Sequence, residues 1–166
     1  PDLSGRIKPQ FAAEPGRALG RLTDLGWGAR LRALLAEDAP DAPVPDDVFA
    51  AVVQVLAAWD WAQRPVAVVS MPSGRRPQLI RSLADRIAGT GRLRYLGELG
   101  YRAGSPGRQY NSAQRVQAIR ATLTLPPALG QALRGVDGPV LLVDDRIDTG
   151  WTMTMAPALL RHGGAP

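Results

Sequence analysis

The chain has 166 residues, of which 45% are hydrophobic and 21% are charged, a balance typical of one globular domain and not of a disordered chain. It has no cysteine, which excludes a disulfide scaffold and a thiolate zinc site. No apolar run approaches the length needed to cross a bilayer, and no secretory signal opens the sequence, so we expect a cytoplasmic protein without a membrane partner.

The formal net charge is +5, and Lys8 is the only lysine among the 20 lysines and arginines. Arginine pairs bidentately with phosphate and stacks on bases, so this bias suits a phosphorylated or nucleic-acid partner. A GC-rich genome would enrich arginine in the same way through codon usage. The basic excess is therefore more informative than the preference for arginine.

Residues 1–45 read as a linker followed by a helical lead-in. The first 16 residues show no apolar period and contain several Pro and Gly residues. Leucines between Arg17 and Leu35 recur at helical spacing and are interrupted by Gly-Trp-Gly at 26–28, which predicts two short helices, with Trp27 as a packing anchor. The acidic, proline-rich stretch 37–45 predicts a loop.

Residues 46–166 alternate helical and strand patterns and predict an α/β fold. A strongly amphipathic helix begins at Asp46, a short buried strand lies at 66–69, and a second amphipathic helix runs through Leu79 and Ile87. The later predicted elements are a weak strand at 93–96, a helix opening at Asn111, a short strand at 122–125, one helical turn within 126–138, a buried central strand at 140–143 and a final helix through Leu160.

The stretch 140–152, which reads VLLVDDRIDTGWT, combines three features. Its first four residues form an apolar strand, and Asp144 and Asp145 place two carboxylates at the carboxyl end of that strand, where open α/β sheets bind ligands. A small polar loop then leads into a helix, and backbone N–H groups in such loops can surround a phosphate. A strand, an acidic turn and a helix cap without a ligand would give the same pattern.

This stretch resembles the phosphoribosyl pyrophosphate motif of the type I phosphoribosyltransferases. The resemblance implies a parallel sheet flanked by helices, with Asp144 and Asp145 binding the ribose hydroxyls directly or through Mg²⁺. It also implies a general base at Asp148, as in the purine-salvage branch. The ligand-binding loop implied by the family comprises Asp148, Thr149, Gly150, Trp151 and Thr152. The chain departs from the family at Trp151, where a small residue is usual, and at Arg146, where an apolar one is usual.

A second loop, at 73–76, follows the strand at 66–69 and precedes a helix. The family binds pyrophosphate at this position, so the resemblance implies that role for Ser73, Gly74, Arg75 and Arg76. An ordinary turn between a strand and a helix, with exposed arginines, is the alternative. Either way, we expect both loops to open at the same edge of the sheet.

Two further likenesses narrow the family. Residues 108–120, RQYNSAQRVQAIR, loosely resemble the flexible region of ComF-like phosphoribosyltransferases. The lead-in at 15–35, followed by a phosphoribosyltransferase-like core, resembles the carboxyl-terminal region of certain RecQ-like ATP-dependent DNA helicases. The resemblance implies that the helicase motor lies elsewhere in the same polypeptide, and we expect this chain to be a module truncated before a final strand.

Three functions remain open. The first is an accessory helicase module, with a role in DNA repair, that binds DNA backbone or a phosphorylated ligand without turnover. The second is an active, Mg²⁺-dependent phosphoribosyltransferase, and the third is a purely structural domain that forms an oligomer. The arginines expected to contact DNA are Arg75, Arg76, Arg81, Arg102 and Arg108. We favour the accessory module because Trp151 adds bulk to the phosphate loop and no aromatic-rich segment follows that loop to stack a base.

Overall fold

The computed structural model describes residues 13–102, 123–147 and 151–165, and for Trp151 and Thr152 it describes the backbone alone. The helices are α1 (Trp27–Leu34), α2 (Asp46–Ala57), α3 (Pro77–Gly91), α4 (Pro127–Leu133) and α5 (Trp151–His162). The strands are β1 (Ala67–Ser70), β2 (Arg94–Glu98), β3 (Gly100–Tyr101), β4 (Leu123–Thr124) and β5 (Val140–Val143). The helix predicted to open at Asn111 lies outside the described residues. Within the described ranges, no helix combines the length and apolarity required to cross a membrane.

The central strand of the sheet is β1, which pairs in parallel with β2 on one side and with β5 on the other. All four of its residues are buried, because helices cover both faces of this short apolar run. The chain passes from β1 to β2 and later returns to the opposite side of β1 at β5. This reversal creates a topological switch point between β1 and β5.

The predicted parallel sheet flanked by helices is confirmed, whereas the prediction that residues 140–143 form a central strand is wrong for the described residues. There, β5 has β1 as its one neighbour and lies at the edge of a three-stranded sheet. Three of its four residues are only half-buried. The apolar composition of β5 is therefore explained by the helices that pack on its two faces, and not by hydrogen bonding to a strand on each side.

Two apolar clusters cover the two faces of the sheet. On one face, Val68 and Val143 pack with residues of α2 and α3, and on the other, Val69 packs with residues of α4 and α5. The short β3–β4 antiparallel pair contributes Leu123 to the second cluster. The fold is thus three layers deep, and the sheet edges are the places where polar groups can gather.

The lead-in packs against the α2–α3 side of the core. Its predicted pair of helices is wrong: α1 is the one helix between residues 17 and 35, and residues 22–26 form turns. Trp27 packs against the core, as predicted. The backbone at Leu22 passes so close to Gly28 that a Cβ atom there would lie 2.8 Å from the Leu22 carbonyl oxygen. The predicted loop at 37–45 is confirmed. Its Val44 side chain is 3% exposed and packs in the core.

Replacing Leu133 with alanine should test the second cluster. Leu133 is 0% exposed, so the change would leave a cavity and should lower the free energy of unfolding by about 2–5 kcal/mol. Leu25→Ala is the matched control, because Leu25 is fully exposed and its loss should cost less than about 0.5 kcal/mol. Urea unfolding of both variants gives the comparison, and equal losses would contradict the described core.

Candidate functional site

The candidate site lies at the carboxyl ends of β1 and β5, on either side of the switch point. The pairing of the two strands continues past their ends, since the Met71 N–H donates to the Val143 carbonyl at 2.8 Å. Beyond this bond the Ser73 hydroxyl donates to an Asp145 carboxylate oxygen at 3.5 Å. The described parts of the two predicted loops therefore open at the same edge and touch, as the sequence led us to expect.

Asp144 and Asp145 form a tightly coupled acid pair directly after β5. The Asp145 backbone N–H donates to an Asp144 carboxylate oxygen at 2.8 Å, which orients the Asp144 carboxyl group. Burial, and next the negative charge of Asp145, raise the pKa of Asp144 to about 7. A nearby cation would favour the charged form of the Asp144 carboxyl group and lower its pKa again.

Tyr101, at the end of β3, lies within electrostatic reach of the acid pair, although no sequence pattern singled it out. Burial raises the pKa of its phenol first, and the negative charges of Asp144 and Asp145 raise it further, which places the ring within electrostatic reach of the pair. The signal was absent because Tyr101 lies in a segment rich in Gly, Arg and Tyr without clear periodicity. Its position depends on long-range bonds: the Leu99 N–H donates to the Ser70 carbonyl at the end of β1, and Tyr101 pairs with Leu123.

The loop after β1 offers one exposed cation rather than two. Arg75 is exposed, with only a long ion pair of 3.7 Å to Glu37. Arg76 is 6% exposed, and its guanidinium donates to the carbonyls of Ala36 and Ala39 in the lead-in. Two donors of the Arg76 guanidinium are therefore already bound to backbone carbonyls, and its predicted contact with DNA or pyrophosphate stays a prediction.

The amino terminus of α3 is also occupied by the protein itself. The two carboxylate oxygens of Asp41 accept hydrogen bonds from the N–H groups of Gln78 and Leu79, at 2.9 and 3.1 Å. This is how a capping carboxylate satisfies the first donors of a helix, although Asp41 comes from the distant loop at 37–45 rather than from the capping position. Two N–H donors at the start of α3 are thus already satisfied within the protein.

Of the other residues predicted to form the site, the structure describes some and leaves others outside the described ranges. Ser73 is half-buried and Gly74 is exposed, while Arg81 and Arg102 are exposed and available to solvent. Trp151 and Thr152 form the start of α5. Asp148, Thr149, Gly150 and Arg108 lie outside the described residues, so the proposed phosphate loop and general base remain predictions.

The acid pair suits a hard divalent cation only with help from another molecule. In the part of the chain that the structure describes, no group of three or more His, Cys, Asp or Glu side chains converges to hold a metal ion. Two carboxylates are nevertheless the oxygen donors that Mg²⁺ prefers, and it commonly completes its shell with water and substrate oxygens. Asp144 and Asp145 thus fit a magnesium site shared with a ligand.

Comparison with protein-family models, with curated proteins and with solved structures gives no match to this chain. The candidate site therefore rests on its own geometry and on the sequence motif.

The raised pKa of Asp144 predicts a pH-dependent stability in metal-free buffer. Between about pH 4 and pH 7 the folded state keeps a proton that the unfolded state has lost, so the free energy of unfolding should fall as pH rises through this window. Asp144→Asn should remove this part of the slope. Asp145→Asn should reduce it, because it removes the neighbouring charge. Urea unfolding across pH 4–8 tests this, and an unchanged slope in Asp144→Asn would contradict it.

Replacing each of the two adjacent arginines with alanine should lower the free energy of unfolding by different amounts. Arg76→Ala should lower the free energy of unfolding by about 2 kcal/mol, since two lead-in carbonyls lose a charged donor. Arg75→Ala, the matched control, should cost less than about 0.5 kcal/mol because its ion pair is exposed and long. Thermal and urea unfolding measure both losses. A stable Arg76→Ala protein would show that these hydrogen bonds do not hold the lead-in in place.

Proposed function

We propose that this chain is a phosphoribosyltransferase-like module of a RecQ-like DNA helicase that binds a phosphorylated sugar, with Mg²⁺, without turning it over. The observation that carries the proposal is the contact between the β1 loop and the acid pair at the switch point, through Ser73 and Asp145. Open α/β sheets bind ligands at this position, between two parallel strands from which the chain continues to opposite faces of the sheet.

The chemistry of the acid pair supports a sugar ligand. Vicinal hydroxyls can donate to Asp144 and Asp145, and the same hydroxyls can share a magnesium ion with them. A bound Mg²⁺ would supply positive charge beside the ligand's phosphates. Proton loss from Asp144 would accompany binding, because a cation favours the carboxylate of a group whose pKa is about 7.

The surroundings of the β1 loop support binding without turnover. Expulsion of pyrophosphate builds negative charge on the leaving group, which cations and N–H donors must stabilise. Here the Arg76 guanidinium is engaged by the lead-in, and two N–H groups at the start of α3 are engaged by Asp41. Among the described residues of this loop, Arg75 is the exposed cation. One cation would stabilise little of the negative charge on a leaving pyrophosphate.

The helicase part of the proposal is supported by the net charge of +5 and by the resemblance of the lead-in. Arg75, Arg81 and Arg102 are exposed and could contact DNA phosphates without reading sequence. Such binding would weaken steeply as salt rises.

An active transferase is the second candidate, favoured by one observation: both carboxylates that the active family uses are present and adjacent. The two functions differ in a product that can be measured. A transferase releases pyrophosphate in the presence of a nucleobase, whereas the proposed module does not.

Calorimetry with phosphoribosyl pyrophosphate and Mg²⁺ tests the proposal. The wild type should bind only with Mg²⁺, and the double variant Asp144→Asn, Asp145→Asn should lose this binding by at least about tenfold, because the cation loses its carboxylates. The matched control is Asp46→Asn with Asp47→Asn, an adjacent acid pair at the start of α2 that removes the same charge elsewhere. Equal binding by both double variants would contradict the site.

Two further measurements separate the candidates. Trp151→Gly restores the small residue of the family motif and should raise affinity if the indole hinders the phosphate. A coupled assay for pyrophosphate with common nucleobases should show no release from the wild type. Steady release that stops in the Asp144, Asp145 double variant would establish the transferase instead.

A further inference from the structure

A second pocket lies at the opposite, amino-terminal edge of the sheet, far along the strands from the acid pair. It has a volume of about 410 Å³ and lies between the ends of α2 and α3 and the residues that precede β1 and β2. This size is within the range of small-molecule sites. Its apolar wall is formed by Val53, Leu56, Ala57, Pro65, Val66, Ile87, Leu93 and Leu141.

The polar part of this pocket is cationic and aromatic. Trp61, Arg64 and Arg92 line it, and no acidic side chain does so among the described residues. Within the described ranges, neither guanidinium has a hydrogen-bond or ion-pair partner, and both arginines are exposed. An apolar wall beside an indole and two cations is complementary to an uncharged planar ring joined to an anionic group.

Trp61 is held in place before any ligand arrives. Its indole N–H donates to the Leu56 carbonyl at 3.0 Å, and its ring stacks on Trp59 with centroids 3.9 Å apart. Arg17 from the lead-in lies 5.2 Å from the centroid of Trp59. Because Trp59 covers one face of the Trp61 ring, the opposite face is the one on which a planar base could stack.

Arg92 occupies a backbone conformation that its side chain disfavours. Its φ is 54°, and it is the one non-glycine residue with positive φ in the described chain. The N–H groups of Arg92 and Leu93 close the end of α3 by donating to the Gly89 and Ala88 carbonyls. Glycine is the usual residue where a helix ends in this way. A cation there also complements the helix dipole, so a binding role must be tested separately from that structural one.

We propose that this pocket binds a nucleotide unit, with its base on Trp61 and its phosphate between Arg64 and Arg92. The proposal does not depend on sugar-phosphate binding at the acid pair, which lies at the other edge of the sheet. A single-stranded nucleic acid and a free nucleotide present the same chemistry, and the experiment distinguishes them.

Fluorescence anisotropy with labelled oligothymidylate, at several salt concentrations, tests the pocket in the full chain. Trp61→Leu should weaken binding roughly tenfold, the loss of one stacked base. Trp61→Phe should retain most of the affinity because it keeps an aromatic face. Arg92→Gly should lower the slope of log affinity against log salt by about 0.7, the loss of one phosphate contact on a single strand.

Glycine suits the positive φ of this position, so Arg92→Gly should preserve the end of α3, and thermal unfolding of the variant checks this. Arg21→Gln, an exposed arginine in the lead-in, removes the same charge and should leave the slope unchanged. The Asp144, Asp145 double variant should also bind normally, which separates this pocket from the proposed function. Binding that is equal in the wild type, Trp61→Leu and Arg92→Gly would overturn the proposal.

Competition identifies the source of the nucleotide. Thymidine monophosphate at millimolar concentration should displace the labelled strand, and thymidine, which lacks the phosphate, should displace it far less. Measurable binding of the monophosphate alone would indicate a free nucleotide as an additional ligand. Failure of the monophosphate to displace the strand would overturn the assignment of this pocket.

Discussion

The fold depends on the double pairing of β1. This strand is fully buried, and its backbone bonds to β2 on one side and to β5 on the other, so each neighbour is positioned through it. The register that joins Ser70 to Val143 also places Ser73 beside Asp145. A one-residue slip would turn every side chain of β5 to the other face of the sheet, and the acid pair would then lose its position against the β1 loop.

The lead-in completes the candidate site rather than merely preceding it. Asp41 caps α3, and the carbonyls of Ala36 and Ala39 bind Arg76. One short segment therefore occupies both the N–H groups at the start of α3 and the Arg76 guanidinium, which could otherwise bind an anion. Val44, three residues after Asp41, is buried and ties the segment to the core. The chemistry of this edge is consequently set as much by residues 36–44 as by the motif itself.

The sequence was most informative where local pattern and burial agree. Apolar runs predicted β1 and β5, and amphipathic periods predicted α2 and α3, because these elements bury continuous faces. The acid pair could be located for the same reason, as it directly follows a predicted strand. The sequence could not show which of Arg75 and Arg76 is exposed and which is buried. That difference arises because a segment distant in sequence binds and buries Arg76. The edge position of β5 and the role of Tyr101 likewise depend on pairings between residues remote in sequence.

Helix dipoles explain part of the charge distribution at the two edges, but not all of it. In a parallel sheet with crossing helices, helix amino termini gather at the carboxyl edge, where acids are stabilised, and helix carboxyl termini gather at the other edge, where arginines are stabilised. A single acid such as Asp41 at the start of α3 fits this rule. Asp144 does not, because burial and its neighbour raise its pKa, so its charge is a cost to the folded protein. A cation near Asp144 would favour its charged form and so remove that cost.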